Sequence, residues 1–289
     1  MSLRTMAPIM GGPHVKTCVS TFLTGEVRDI SGESLRGSAH VSALLAGLIS
    51  RLDGALGMQR NLAGAAVLVD GLPSADVAAV LRDAPVTAPS ETILPAGTLT
   101  ARPPLVGPPA LCALADDPVG WLAAFADLAL PPLLTLLSWG VALYPHEQNL
   151  LLVLRNGRPH RLVYRDLADI RVSPRRLARL GVPCPPLPER MQSDDPAVLR
   201  RTLFGSTFSY TMMGLVTTLA QGDEALEKRL WGLVSQRARA AFAALPADTG
   251  THADQRALLS DPWPTRPYTL QRLDTPADGA WAYIPNPLS

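Results

Sequence analysis

The chain has 289 residues, which is long enough to bury one large core or two smaller ones. Hydrophobic residues make up 47% of it and charged residues 18%, a composition that excludes a largely disordered chain. The formal net charge is +1 and the arginines are spread along the sequence. Without a basic stripe, nucleic acid is not expected as a partner.

The cysteines and the N-terminus exclude two further classes. Cys18, Cys112 and Cys184 lie far apart and form no CxxC pair, which argues against a disulfide framework and a cysteine metal site. The first twelve residues contain one arginine and no long apolar run, so they do not resemble a secretory signal.

The N-terminal third alternates between strand and helix signals. Residues 14–23 place β-branched residues on alternate positions, which predicts a strand. Residues 41–52 have helical apolar spacing, and 65–69 read as a short buried strand. Ser74 is a candidate N-cap for a helix that runs through Leu81.

Two proline signals organise the middle of the chain. Residues 85–109 contain seven prolines, which predicts a mostly extended connection and the best internal boundary. The longest apolar stretch, 119–153, is interrupted by Asp127, Pro131 and Pro132. A membrane span needs about 20 uninterrupted apolar residues. We therefore expect two short helices, 121–130 and 132–143, in a soluble cytoplasmic protein with no membrane partner.

The clearest local signal is a hairpin. Apolar runs at 149–154 and 160–164 flank Asn156-Gly157, and both of these residues tolerate positive φ. Antiparallel strands of similar length bring Asn149 and Asp166 to the same open end. Two helices, 196–221 and 223–245, and a tail of short extended pieces are predicted to follow.

A first group of polar residues lies near the N-terminus. Hydroxyl groups with arginine and lysine suit polyphosphate oxygens, because charge-assisted hydrogen bonds are the strongest. The alternative is a set of solvated surface residues. The group consists of Ser2, Arg4, Thr5, Lys16, Thr24 and Arg28.

A second group surrounds the hairpin. Asn149 and Asp166 offer oxygen ligands of the kind that Mg²⁺ prefers. His146 can donate to a phosphate or carboxylate oxygen. The alternative is a polar helix cap followed by a hairpin, with Asp166 capping the next segment.

Taken in order, these motifs resemble the IucA/IucC family, the siderophore synthetases that act independently of nonribosomal peptide synthetases. The matching positions are SLRT at 2–5, HVK at 14–16, the threonine and arginine of 24–28, HEQN at 146–149, RD at 165–166, WPTR at 263–266, QRL at 271–273 and NPL at 286–288. The resemblance spans the whole chain.

The resemblance implies an α+β fold. Residues 1–114 would be part of a palm domain with a β-sheet, and 115–289 a mostly helical thumb with a central β-hairpin, related to FhuF. Family members carry a large domain before the SLRT segment, so an N-terminal domain is expected to be missing. The chain would then pair with an N-terminal fragment or form a homodimer.

The resemblance also implies an activity and a set of roles. Such enzymes use ATP and Mg²⁺ to adenylate a carboxylate such as citrate, and an amine or hydroxyl nucleophile then displaces AMP. The implied roles are phosphate binding for Ser2, Arg4, Thr5 and Lys16, substrate binding for Thr24, Arg28 and Arg266, and nucleotide and Mg²⁺ binding for Gln148, Asn149 and Asp166. Arg28, near the carboxylate, and His146, which would stabilise developing charge, are the implied catalytic residues.

The sequence departs from the family pattern at two positions. The glutamate usually found two residues before the histidine is Tyr144 here, and the lysine of the WPxK-like segment is Arg266. The role of that glutamate is therefore lost or moved.

Three other functions stay open. An FhuF-like iron- or siderophore-handling protein without ligase activity would need grouped cysteines. A small-molecule kinase would need an aspartate between His146 and Asn149, where Glu147 and Gln148 stand. A non-catalytic binding protein would share every motif with the synthetase.

Overall fold

The computed structural model describes residues 3–23, 26–103, 107–267 and 281–289. The strands are β1 Thr5–Met6, β2 His14–Thr17, β3 Val19–Leu23, β4 Glu26–Arg28, β5 Leu56–Met58, β6 Asn61–Val69, β7 Leu72–Arg82, β8 Glu91–Pro95, β9 Val141–Ala142, β10 Leu150–Arg155, β11 Arg158–Tyr164, β12 Arg171–Val172, β13 Trp263–Thr265 and β14 Ala282–Ile284. The helices are α1 Gly32–Ile49, α2 Ala96–Thr100, α3 Ala110–Leu114, α4 Pro118–Trp139, α5 Pro174–Arg179, α6 Pro196–Phe204, α7 Met213–Ala220, α8 Glu224–Ala243 and α9 Thr249–Ser260, with a π-helix at Gly205–Met212. This mixture confirms the α+β class.

The first sheet has the strand order β1-β2-β7-β6. The predicted helix from Ser74 to Leu81 is wrong, because these residues lie in β7. The turn between β6 and β7 is Asp70-Gly71, with φ of 50° and 77°, which is typical of a tight hairpin between apolar runs. Residues 65–69 form a strand as predicted, but most of β6 is exposed, not buried.

The predicted strand 14–23 is divided in two. β2 pairs with β1 and β7, whereas β3 pairs with β4 in a separate two-stranded sheet. Lys16 lies opposite Thr5 on one side and Val80 on the other. It is therefore buried within the first sheet, with 7% of its surface exposed.

The second sheet has the order β5-β11-β10-β8 and contains the hairpin predicted from Asn156-Gly157. These residues have φ of 52° and 74°, which confirms the turn. The connection predicted at 85–109 contains β8 and α2, so it is more regular than expected. Since β8 pairs with β10, hydrogen bonding continues across the proposed boundary at 114, and that division stays a prediction.

The apolar stretch forms one helix, α4, where two short helices were predicted. Asp117 caps its start, Gly140 ends it with φ of 102°, and Pro131 and Pro132 lie inside it. An internal proline costs about 3 kcal/mol. The burial of a long apolar face against the second sheet and α8 offsets this cost. Although α4 is long and apolar enough to cross a membrane, 56% of its most apolar window is buried, as in a core helix.

The C-terminal helices follow the prediction in outline. Residues 196–221 form α6, the π-helix and α7, and α8 occupies the predicted 223–245. The helix α9 was not predicted. Trp263 is fully buried and packs on Phe208 and Trp231 at ring distances of 5.4 and 5.5 Å. This aromatic contact fixes the C-terminal strand beside the π-helix.

Candidate functional site

A polar cavity lies where the ends of β2 and β7 meet the open end of the β10–β11 hairpin. It brings together residues from both predicted groups, including Thr5, Asn149 and Asp166, which are far apart in sequence. The cavity is lined by Thr5, His14, Gln59, Arg82, Gln148, Asn149, Arg165 and Asp166.

Asp166 is the central carboxylate of this cavity. Lys16 Nζ lies 2.8 and 3.0 Å from its two carboxylate oxygens, and Arg82 Nη2 lies 3.0 Å from Oδ1. The side chains of Lys16 and Arg82 are 9% and 7% exposed, and that of Asp166 is 24% exposed. Burial opposes the ionisation of Asp166, but the two cations hold its pKa far below the usual range. Asp166 is therefore an ionised anchor for two buried cations.

One carboxylate does not neutralise the charge around it. Burial is the largest cause that lowers the pKa of Lys16, and repulsion from Arg82 and Arg4 adds to it against the attraction of Asp166. The pKa of Arg4 is also lowered, by burial first and then by Arg28 and Arg82. The cluster thus carries surplus positive charge.

Two further arginines complete the cluster. The Arg4 guanidinium donates to the backbone oxygens of Arg28 and Asp29 at 2.6 and 2.7 Å, which ties the N-terminal segment to β4. Arg165 Nε donates to the Gln148 carbonyl at 3.0 Å, while its buried Nη2 has no hydrogen-bond partner among the described residues. Burial lowers the pKa of Arg165. The cluster, called the cationic cluster below, consists of Arg4, Lys16, Arg82 and Arg165 around Asp166, and Arg28 lies beside Arg4.

His146 lies at the edge of the cationic cluster. Its Nδ1 accepts a hydrogen bond from the Gln148 backbone N–H at 3.2 Å, so the neutral ring carries its proton on Nε2. The ring packs edge-on against Tyr144 at 5.1 Å. Burial is the main cause that lowers the pKa of His146, and Asp169 and Asp166 oppose it. At neutral pH, His146 is a neutral donor through Nε2.

Glu147 points away from this cavity. Thr100 Oγ1 lies 3.3 Å from its carboxylate, and the Gly97 N–H donates to its backbone oxygen at 3.0 Å. The carboxylate lies against Gly214, where an added Cβ would clash with Oε1. Burial raises the pKa of Glu147. This side chain anchors the loop to α2 and α7.

Arg266 lies on the other side of Tyr144, outside the cavity lining. Its guanidinium is 4.2 Å from the Trp281 ring centre, and its backbone N–H donates to the Tyr210 hydroxyl at 2.7 Å. The guanidinium also bonds the Tyr144 side chain, whose pKa burial raises to about 12. The two positions that depart from the family pattern, Tyr144 and Arg266, are thus in contact.

The structure adds residues that the sequence-based prediction left out of the site. The sequence pattern does not indicate Arg82, because it predicts a helix where β7 lies, although the Asp70-Gly71 turn favours a hairpin. Arg165 was interpreted only as part of a motif. Ser2 and Thr24, both predicted site residues, lie outside the described residues.

The donor set decides which metals the site could hold. Among the described residues, no group of three or more His, Cys, Asp or Glu side chains could hold a metal ion. Both oxygens of Asp166 are engaged by cations. The protein thus fits Mg²⁺ only if phosphate oxygens supply most ligands, with Asn149 as the available protein ligand. The three cysteines remain separate, and each donates to a backbone carbonyl, so they form no iron–sulfur donor set.

Comparison with known proteins places this geometry in a family. A model described as "IucA / IucC family" matches residues 1–101, and one described as "Ferric iron reductase FhuF-like transporter" matches 120–280, more than half of the chain. The rhizobactin siderophore biosynthesis protein RhbF of Rhizobium meliloti (strain 1021) is 46% identical over 50 residues, which are 17% of this chain and 8% of that protein.

Solved structures share the fold. The petrobactin biosynthesis protein AsbB from Bacillus anthracis str. Sterne matches with a TM-score of 0.87 and 19% identity, over 99% of this chain and 52% of that one. The ATP-bound aerobactin synthetase IucA from Klebsiella pneumoniae matches with a TM-score of 0.83 and 19% identity, over 99% and 54%. The chain spans about half the length of these structures. The two family models follow each other along the chain, so the chain belongs to the IucA/IucC family and includes its FhuF-like region.

Proposed function

We propose that this chain binds ATP and serves a synthetase that adenylates a carboxylate and joins it to an amine or hydroxyl group. The cationic cluster carries the proposal, because four cations surround the Asp166 carboxylate in a chain whose net charge is only +1. Such a site favours a polyanion, whose charge would offset the repulsion among the cations. The aerobactin synthetase IucA from Klebsiella pneumoniae, which shares the fold, binds ATP, and this is consistent with the same ligand here.

The cationic cluster would be the nucleotide-binding part of the site. Asp166 holds Lys16 and Arg82 in fixed positions, so their donors would meet phosphate oxygens without reorganisation. The buried, unpartnered Nη2 of Arg165 would gain a hydrogen bond from the same oxygens. We assign phosphate contacts also to Ser2, Arg4 and Thr5, and nucleotide contacts to Gln148 and Asn149.

In the first step ATP would supply the adenylyl group, as a substrate carboxylate oxygen bonds to the α-phosphorus and pyrophosphate leaves. In the second step a nucleophile would bond to the acyl carbon, as AMP and a proton leave. Arg28, with Thr24, would bind the reacting carboxylate, because a guanidinium offers two donors and stays charged. His146 Nε2–H would donate a hydrogen bond to an oxygen that becomes more negative as the substrate carboxylate and ATP react. Arg266 would bind a further substrate group beyond Tyr144.

Of the two metal ligands predicted from the sequence, Asn149 and Asp166, we keep only Asn149. The residues present fit Mg²⁺ bound mainly by the nucleotide, with Asn149 as the candidate ligand. Asp166 fits the role of anchoring cations better than that of a metal ligand, because both oxygens are in ion pairs. Citrate, the amine or hydroxyl substrate and a palm–thumb division at 114 remain parts of this proposal.

Two assays test the proposal. Calorimetric titration of Mg²⁺-ATP should show saturable binding that Asn149→Ala weakens, and pyrophosphate release should depend on added citrate or another carboxylate. A folded protein that binds no ATP would contradict the nucleotide site. Phosphorylated product without AMP would indicate a kinase instead.

The FhuF-like match raises a second candidate, an iron- or siderophore-handling protein without ligase activity. The separated cysteines give it little chemical support. An iron assay on the purified protein separates the two functions, since stoichiometric iron without ATP binding would favour the second. The molar mass of the protein in solution, measured with and without an added N-terminal fragment, tests whether the chain forms a homodimer or binds such a fragment.

A further inference from the structure

The π-helix at Gly205–Met212 is unusual in length and composition. π-Helices are rare, mostly single-turn features, and are frequent at functional sites. This one has eight residues, and all except Tyr210 are buried. Its hydroxyl side chains are those of Ser206, Thr207, Ser209, Tyr210 and Thr211. Buried hydroxyl groups are costly unless they are hydrogen-bonded, so their partners show what the helix holds.

One hydroxyl holds the loop that carries His146. Thr211 Oγ1 donates to the backbone oxygen of Pro145 at 2.9 Å, and Thr211 is 1% exposed. Pro145 directly precedes His146 and is itself buried. On the far side of His146, the Gln148 N–H fixes the ring through Nδ1. The loop is therefore held on both sides of the imidazole.

Two neighbouring hydroxyls hold β13 and Arg266, the residue that follows it. Ser209 Oγ donates to the Pro264 backbone oxygen at 2.9 Å. The Tyr210 hydroxyl accepts from the Arg266 N–H at 2.7 Å and from Thr265 Oγ1 at 3.3 Å. Three consecutive residues of the π-helix thus reach two segments that are more than a hundred residues apart in sequence.

We propose that this π-helix is a clamp that fixes His146 and Arg266 relative to each other, with Ser209, Tyr210 and Thr211 as positioning residues. A π turn contains more residues than an α turn, so consecutive side chains diverge less and can serve adjacent loops. This inference rests on the proposed function, in which His146 and Arg266 act on one substrate. The clamp itself is a property of the fold.

The same helix supplies a matched control. Thr207 is buried like Thr211, with 3% of its surface exposed, but its Oγ1 has no hydrogen-bond partner in the described part of the chain. Within the described ranges, Ser206 bonds only to the backbone of the preceding helix. Replacing Thr207 with Val removes a hydroxyl of the same size from the same helix without releasing either loop.

The test is NMR of the ¹⁵N-labelled 289-residue protein without nucleotide. Thr211→Val should move the His146 ring nitrogen signals away from the single Nε2–H tautomer, and Thr207→Val should leave them unchanged. Ser209→Ala and Tyr210→Phe should instead shift the Trp281 indole N–H, which reports the guanidinium above its ring. Thr211→Ser, which keeps the hydroxyl, should restore the wild-type His146 signals even if the valine variant folds poorly.

Unchanged His146 signals in a folded Thr211→Val protein, or equal shifts in Thr207→Val, would overturn the clamp. A parallel ATP titration separates this result from the proposed function. If wild-type protein binds ATP and Thr211→Val leaves His146 unchanged, only the clamp fails. If no variant binds ATP but the predicted shifts appear, the clamp stands as a structural element and its catalytic purpose fails.

Discussion

Replacing Asp166 with Asn should destabilise the fold, because the carboxylate holds two buried cations together. Lys16 and Arg82 lie 2.8 and 3.0 Å from its oxygens, and their side chains are 9% and 7% exposed. Breaking a buried ion pair by removing one partner costs about 3–5 kcal/mol. Since Asp166 itself is 24% exposed, we expect the lower end, about 3 kcal/mol.

Urea unfolding followed by tryptophan fluorescence measures this effect through the midpoint and slope of the transition. The matched control is Asp83→Asn, which removes the partner of Arg60, a side chain that is 56% exposed. Exposed pairs contribute little, so this variant should unfold close to wild type. Equal unfolding free energies for the Asp166 and Asp83 variants would refute the reasoning.

The pH dependence provides a second check on the same carboxylate. The folded pKa of Asp166 is far below its unfolded value of about 4, so its stabilisation is present above that value and lost as the pH falls. The difference in unfolding free energy between wild type and Asp166→Asn should therefore decrease as the pH falls into the acid range. A difference that stays constant from neutral pH into strong acid would contradict the ion-pair account.

Three other predictions concern charge and backbone. ATP affinity should fall as the pH rises from neutral to alkaline values, with proton uptake on binding, because burial already lowers the pKa of Lys16 and a bound anion would raise that pKa. Calorimetry in buffers of different ionisation enthalpy measures the proton uptake. An ATP affinity that stays constant at alkaline pH, with no proton uptake, would count against this prediction. Gly157→Ala should lower the free energy of unfolding in urea by about 1–2 kcal/mol, because φ is 74° at this residue. A variant as stable as wild type would contradict a left-handed conformation at this residue. Gly232→Ala, with open space around it, should stabilise by about 0.5–1 kcal/mol in urea unfolding because Ala has the higher helix propensity. Gly214→Ala should gain less, because the Glu147 carboxylate must move away from the added methyl group. Equal gains for the two variants would be inconsistent with this contact.

Local signals predicted well where local chemistry decides the structure. The Asn156-Gly157 hairpin was predicted because positive φ at both residues depends little on the rest of the fold. It also placed Asn149 and Asp166 at one end of the hairpin, and both line the cavity. Asp70-Gly71 gives the same kind of signal, and in the structure it outweighs the N-cap signal at Ser74.

Tertiary packing decided the elements that were predicted wrongly. Pro131 and Pro132 break an isolated helix, but α4 continues through them because its apolar face is buried along its length. Periodicity cannot reveal this compensation, since the packing partners are distant in sequence. The break after Thr17 likewise depends on which strands pair with β2 and β3.

The candidate site was predicted in part. Lys16 and Asp166 were selected separately for phosphate and metal binding, yet they bind each other across 150 positions of sequence. That contact depends on β7, whose Arg82 could not be assigned while the segment was interpreted as a helix. Contacts between distant segments were therefore the part that sequence could not supply.

We propose that ATP binding depends on the surplus charge of the cationic cluster. Calorimetric titration of Mg²⁺-ATP into wild type, Lys16→Met and Arg60→Met tests it most directly, because Arg60 is an exposed cation paired with Asp83. A charge-assisted hydrogen bond contributes about 1.5–3 kcal/mol, so Lys16→Met should weaken binding roughly 10- to 100-fold. Arg60→Met should bind ATP like wild type. Equal affinities for the two variants, or no binding by folded wild type, would contradict the account.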